Sequence, residues 1–254
     1  MEYAYSLMAR AAGREMTECR LLEESGRRHF MTRRFDRTAY GGKLHMQSLG
    51  ALAHLDFNAA GAHSYEQAFE VMKRLALPPD VREQQFRRML FNVTARNQDD
   101  HVKNIAFLMD KEGRWTLAPA FDVTFSYNPA GTWTASHQMT INGRRDGFVR
   151  EDFRECARVA GLKRGRSDRL LDEVSAVVAD WRRNAAEAGV SAGWQDRIAS
   201  VLQLQFDRPQ SRSPAVAQPT LAQRGPPVRR NRKTSPGRDI GPGRRTGPRS
   251  RRHK

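Results

Sequence analysis

The stretch 99–122 constrains this chain more than any other. It opens as Asp-Asp-His-Val-Lys-Asn over residues 99–104 and continues as an apolar run at 105–109. It turns over 110–113 and resumes as a short run at 115–117 before Phe121-Asp122-Val123. Alternation within both runs and a glycine in the connection, Gly113, predict a hairpin. Asp99 and Asn104 then lie in the loop leading into the hairpin and Asp122 lies just past its exit, so pairing of the strands puts both ends on one side. Two carboxylates, an amide, His101 and Lys103 are gathered there.

Such a set suits phosphoryl transfer. One carboxylate orients or deprotonates a hydroxyl, an amide oxygen and a second carboxylate hold Mg2+, and a lysine offsets phosphate charge. Asp, four residues, Asn, a short hairpin and a further Asp is also the order of the catalytic and metal-binding loops of protein kinases. The spelling differs, with Asn97-Gln98-Asp99 in place of His-Arg-Asp and Asp122-Val123-Thr124 in place of Asp-Phe-Gly. An Asp-rich loop is also compatible with a solvated turn, and the residues alone leave both readings open.

Four segments in a fixed order carry a more specific match: Arg34-Phe35-Asp36-Arg37, Phe91-Asn92-Val93, the 99–104 loop, and Leu117-Ala118-Pro119-Ala120-Phe121-Asp122-Val123. On these the chain, over residues 2–206, closely resembles the C-terminal kinase core of the HipA family, the serine/threonine-kinase toxins of bacterial toxin–antitoxin pairs. The resemblance implies an α+β, mostly helical fold: a protein-kinase-like C-lobe with a partial N-lobe. It implies ATP and Mg2+ as cofactors, a protein substrate, and a helix-turn-helix antitoxin as partner. In its terms Asp99 is the base, with His101 and Lys103 as helpers beside the transferred phosphate, and Asn104 and Asp122 are metal ligands. Residues 34–37 become the linker between lobes, where the Phe35 backbone reads adenine and Asp36 reaches the ribose. The competing reading of that segment is an exposed Arg-Asp-Arg turn with Phe35 in the core.

The same resemblance divides the chain into a partial N-lobe over 1–37 (helix, hairpin, hinge), a C-lobe over 38–207 and a tail over 208–254. Full family members carry a further N-terminal region with a phosphate-covering loop and a strand lysine that pairs with an acidic residue on the first lobe helix. Here the sequence starts at that helix, Glu2 matches the acidic position, and no Gly-x-Gly-x-x-Gly occurs. The expectation is a truncated kinase, slow or inactive alone; the alternative is a catalytically silent, kinase-like protein that keeps the antitoxin contact.

Charge adds less than it first suggests. Of the net +16, residues 208–254 carry +13, with eight of the 12 prolines and five glycines, which leaves 1–207 only mildly basic. This tail reads as disordered, and as a non-specific nucleic-acid contact through counterion release or as a non-selected extension. Two cysteines exclude a disulfide framework, and neither a signal peptide nor an apolar run of membrane-spanning length is present, so the expected setting is cytoplasmic, with no membrane contact. Gly41-Gly42-Lys43 lacks the P-loop frame, and His45 and His54 lack zinc-site spacing.

Elsewhere the periodicity predicts a helix over 3–12 with Leu7, Met8 and Ala11 on one face, stopped by Gly13, and a hairpin from 19–22 and 29–35. A helix is expected from near Met46, a capping box at Ser64 to Gln67, and after Pro78-Pro79 a helix capped by Asp80 with Glu83. On that helix Phe86, Met89, Leu90 and Val93 form the core stripe, with Arg87, Arg88 and Arg96 turned to solvent. A mobile loop over 126–137 and helices over 152–160, 167–188 and 191–206 complete the expectation.

Overall fold

The computed structural model describes residues 1–207, and its long central element is the helix that delivers the chain to Asp99. This helix, α4 (Pro79–Thr94), starts with Pro78 as N-cap and Pro79 in the first turn, where a fixed φ and a missing N–H cost nothing. The expected cap by Asp80 is therefore replaced by proline geometry, and no side-chain cap bond forms. Phe86, Met89, Leu90, Phe91 and Val93 are fully buried. Each such apolar side chain contributes about 1.5–3 kcal/mol on leaving water, so this one helix anchors much of the core.

Around α4 pack α3 (Tyr65–Arg74), α5 (Arg150–Ala160) and α6 (Arg166–Ala179), with α1 (Glu2–Ala11) against α6 and the short α7 (Trp181–Glu187). The Ser64 capping box forms as expected, with Ser64 Oγ accepting from Gln67 N–H and the Gln67 side chain accepting from Ser64 N–H. The buried face of α1 is Ala4, Tyr5, Met8 and Ala9 rather than the stripe through Leu7 and Ala11, because Tyr5 reaches inward to pack on Trp181 and to donate to the Ala95 carbonyl at 2.7 Å.

Two small antiparallel sheets complete the described residues. One is the hairpin of β1 (Cys19–Glu24) and β2 (Arg27–Thr32). The other joins β4 (Ala106–Met109) and β5 (Trp115–Leu117), the hairpin expected after Asn104, to a third strand, β3 (His45–Ser48). That third strand corrects the helix expected from Met46. The free edge of β4 takes residues 45–48 as a partner, and only then does the one-turn-plus α2 (Leu49–Ala53) begin, capped by Ser48 Oγ.

Further expectations change. Residues 167–188 break at Asp180 into α6 and α7, and the last helix, α8 (Ala192–Ala199), stops short of 206. Arg88 does not face solvent: it is 5% exposed and donates to the Ala118 carbonyl at 2.8 Å, because α4 is enclosed on nearly every side. Arg96 likewise turns in part inward, donating to the Val201 carbonyl at 2.7 Å, while Arg87 pairs with Glu173 at 2.8 Å. Arg14 is buried beside Arg88, and burial together with the Arg88 charge pulls its guanidinium down to about 9. The tail expected over 208–254 lies outside the described residues.

The Tyr5 hydroxyl gives a direct test of how α1 is fixed. Tyr5→Phe leaves the buried Ala95 carbonyl without that donor and is expected to cost about 1–3 kcal/mol in urea unfolding, with the unfolding slope unchanged.

Candidate functional site

The site is built where α4 ends. Arg96 adopts a left-handed conformation, φ 56°, and the Asn97 amide closes back on the Asn92 carbonyl at 2.9 Å, which turns the chain off the helix axis. Beyond this turn the loop alternates between inside and outside. Gln98, Asp100 and Val102 are buried, whereas the Asp99 carboxylate is about half exposed and Lys103 lies at the surface. The β3–α2 junction braces the loop from below, with the Gly50 and Leu49 amides donating to the carbonyls of Val102 and Ile105 at 3.1 and 2.7 Å.

Within the loop Asn104 is fixed by two hydrogen bonds. Its amide NH2 donates to the Asp99 carbonyl at 2.8 Å and its backbone N–H to the His101 carbonyl at 2.9 Å, which leaves Oδ1 as the unengaged acceptor. His101 Nε2 lies 3.8 Å from Asp99 Oδ1, a loose approach, and its Nδ1 is buried without a partner among the described residues. Lys103 Nζ sits 3.1 Å from the centre of the Phe57 ring.

Asp122 returns toward the loop through the residues that follow it. Ser126 Oγ accepts from the Asp99 N–H at 3.0 Å and reaches Asn97 Oδ1 at 3.4 Å, and the Ser126 N–H donates to the Arg96 carbonyl at 3.2 Å. Asp122 itself is exposed and left-handed, φ 53°, a conformation that costs an L-residue about 1–2 kcal/mol and that Asp tolerates better than most. Such outliers concentrate where a side chain has to be aimed.

The 34–37 segment stands beside this return, because the Phe35 and Phe121 rings pack at 5.4 Å. Asp36 is already engaged: Arg34 donates two bonds to its carboxylate, at 2.8 and 2.5 Å, and Arg37 a third at 2.5 Å. The hydrogen bond from Arg34 and the two guanidinium charges outweigh partial burial and hold the carboxyl at about 2. A ribose hydroxyl meeting Asp36 has to share it with these arginines.

As metal donors, the Asn104 amide oxygen and the Asp122 carboxylate are hard oxygens of the kind Mg2+ prefers. Two protein oxygens suit an ion that keeps waters and phosphate oxygens in its remaining positions. Among the described residues no three His, Cys, Asp or Glu side chains come together as a metal-holding group.

Sequence reasoning missed the groups that hold this loop in place. Asp100 accepts from the Tyr65 hydroxyl, His137 Nδ1 and the Gln138 backbone N–H, each at 2.8 Å. Asn92 donates to the Tyr65 oxygen at 3.0 Å and its own Oδ1 accepts from Arg14 and Asn97. Burial alone would raise the Asp100 carboxyl, but the His137 charge and the three hydrogen bonds hold it below the ordinary range. The only local signal was the doubling of Asp at 99 and 100, and nothing in the sequence pairs residue 100 with residues 65 and 137.

Because the folded value of Asp100 is depressed, the stability it contributes is fully present above the unfolded carboxylate range near 4 and is lost as pH falls through the folded value. Asp100→Asn places an amide donor against donors, and is expected to cost about 3–5 kcal/mol at pH 7 and to flatten the acid limb of a stability–pH curve below about pH 4. Chemical denaturation across that pH range checks both.

Comparison with known proteins adds the family. The model of the HipA-like C-terminal domain matches residues 1–181. No curated protein matches the chain by sequence. Among solved structures, the fold is similar to a chain in the Shewanella oneidensis MR-1 toxin–antitoxin complex of HipA, HipB and operator DNA. The TM-score is 0.64 at 17% identity, covering 78% of this chain and 54% of that one. The chain thus spans about half the length of that relative, and at this identity the likeness carries the fold alone. With most of the described residues inside the matched domain, and the Asp99 loop and Asp122 within it, the chain belongs to the HipA family.

Proposed function

We propose that this protein is a HipA-like, ATP- and Mg2+-dependent protein serine/threonine kinase of a toxin–antitoxin pair, with residues 38–207 as its kinase-like C-lobe and 1–37 as the hinge side of an N-lobe. The observation that carries the reading is the Asn104 side chain. Its NH2 is pinned to the Asp99 carbonyl, so the amide oxygen is presented from the same loop that exposes the Asp99 carboxylate. In this reading Asn104 and Asp122 would hold Mg2+, which would supply charge neutralisation of the phosphates when nucleotide is bound. Asp99 accepts the proton of a Ser or Thr hydroxyl as that oxygen takes the γ-phosphoryl group from ATP and ADP leaves. Lys103 places positive charge beside the phosphate, with His101 next to it as a hydrogen-bonding helper, where fixed charge outside bulk water is most effective. The Phe35 backbone and Asp36 take adenine and ribose. The protein partner is a helix-turn-helix antitoxin, in line with the HipB of the similar structure. Among the described residues no helix is long and apolar enough to cross a membrane.

One observation favours a second reading, a catalytically silent protein that only binds the antitoxin. The Asp36 carboxylate is already engaged by Arg34 and Arg37, which a ribose hydroxyl would have to share or displace. The two readings separate in one experiment. Calorimetry with ATP is expected to show weak binding that requires Mg2+ and is abolished by Asp122→Ala, and radiolabelled phosphate transfer to be slow and absent in Asp99→Ala while nucleotide binding persists. Metal-independent binding would place the nucleotide elsewhere, and equal background transfer by wild type and Asp99→Ala would leave the silent reading.

A further inference from the structure

Phe57 lies outside every segment given a role so far, yet it touches two of the side chains placed around the phosphate. It occupies the turn after α2, where Asp56 Oδ1 accepts from the backbone and side-chain nitrogens of Asn58 at 2.9 and 3.0 Å, and His63 Nε2 donates to the Asp56 carbonyl at 2.9 Å. Lys103 Nζ stands 3.1 Å over the centre of its ring, and the His101 ring meets it edge to face at 5.9 Å. The negative face of an aromatic ring attracts an ammonium group, and a lysine so held gives up the rotamer freedom that otherwise spreads its charge over many positions.

The turn that carries Phe57 is itself tied to the loop it serves. The Gly61 N–H donates to the Gln138 carbonyl at 2.9 Å, and the Gln138 N–H donates to Asp100 Oδ1 at 2.8 Å, one residue from Asp99. The ring therefore moves with the loop rather than as an independent surface side chain. Resting on the phosphotransfer reading above, we propose that Phe57 is a positioning residue whose ring holds the Lys103 ammonium and the His101 imidazole beside the Asp99–Asn104 loop, so that positive charge is in place before a phosphate arrives. The Lys103 side chain alone would be a flexible surface group.

The test uses the full chain and two readouts. In NMR spectra the Lys103 ε-methylene protons are expected upfield of their usual position through the ring current, to relax to the usual position in Phe57→Leu, and to stay upfield in Phe57→Trp. In calorimetry Phe57→Leu is expected to weaken MgATP binding about fivefold, within the range of a cation–ring contact, while adenosine binds as before. Lys103→Met weakens MgATP to a similar extent, the double variant no further, and Phe57→Trp restores affinity. A general loss of packing would instead change adenosine and MgATP together and would not be rescued by Trp. Lys103 protons at their usual position in the wild type, or MgATP affinity unaltered in Phe57→Leu, overturns the proposal. A wild type that shows the upfield shift but takes no MgATP overturns the phosphotransfer reading itself, and with it any positioning role, leaving Phe57 as packing alone.

Discussion

A buried carboxylate has to be paired, and Asp100 is where this fold meets that demand. Its three hydrogen bonds come from the start of α3, from His137 and from the adjoining Gln138 backbone, so one side chain fastens two distant parts of the chain to the loop that follows α4. Next to it in sequence, Asp99 is directed outward because Asp100 is directed inward. The chemistry assigned to the first depends on the burial of the second. Tyr65 extends the same network to Asn92 on α4, and Asn92 to Arg14 and Asn97, which makes the end of α4 a polar hub inside an otherwise apolar core.

Around this hub the hairpin acts as a rigid return. β4 and β5 carry the chain away from Asn104 and back, and Ser126 then closes onto the Asp99 amide, so the segment after Asp122 is fixed to the backbone of the Asp99 loop by a hydrogen bond rather than by strand pairing alone. The ring contact between Phe35 and Phe121 brings the proposed nucleotide-reading linker to the same place. Kinase-like chemistry asks for little beyond such placement, since its catalytic power comes mainly from alignment and charge. The family match over residues 1–181 takes in the Asp99 loop, the hairpin and Asp122.

Much of this was legible in the sequence, for physical reasons. The hairpins announced themselves through period-two alternation about a glycine turn, and the Ser64 cap through its spacing to Gln67, because both signals are local. What failed was non-local. Residues 45–48 have no strong strand pattern and pair because the edge of β4 is open to them. Arg88 looked like a surface charge, since nothing nearby in sequence reveals that α4 is covered on nearly every side; there burial pulls Arg88 down to about 10. The Asp100–His137 pair and the Phe57–Lys103 contact join residues dozens of positions apart, and periodicity carries no information about them.

The central claim is that Asn104 and Asp122 together hold one metal ion against a nucleotide. Substituting Mn2+ for Mg2+ in the presence of ATP and recording NMR spectra tests it most directly, because a paramagnetic ion broadens only the nuclei close to it. The account predicts selective loss of the Asn104 side-chain amide signal and of the Asp122 and Asp99 backbone signals, dependent on ATP. Broadening centred on any other group of residues, or of Asp122 without Asn104, would contradict it.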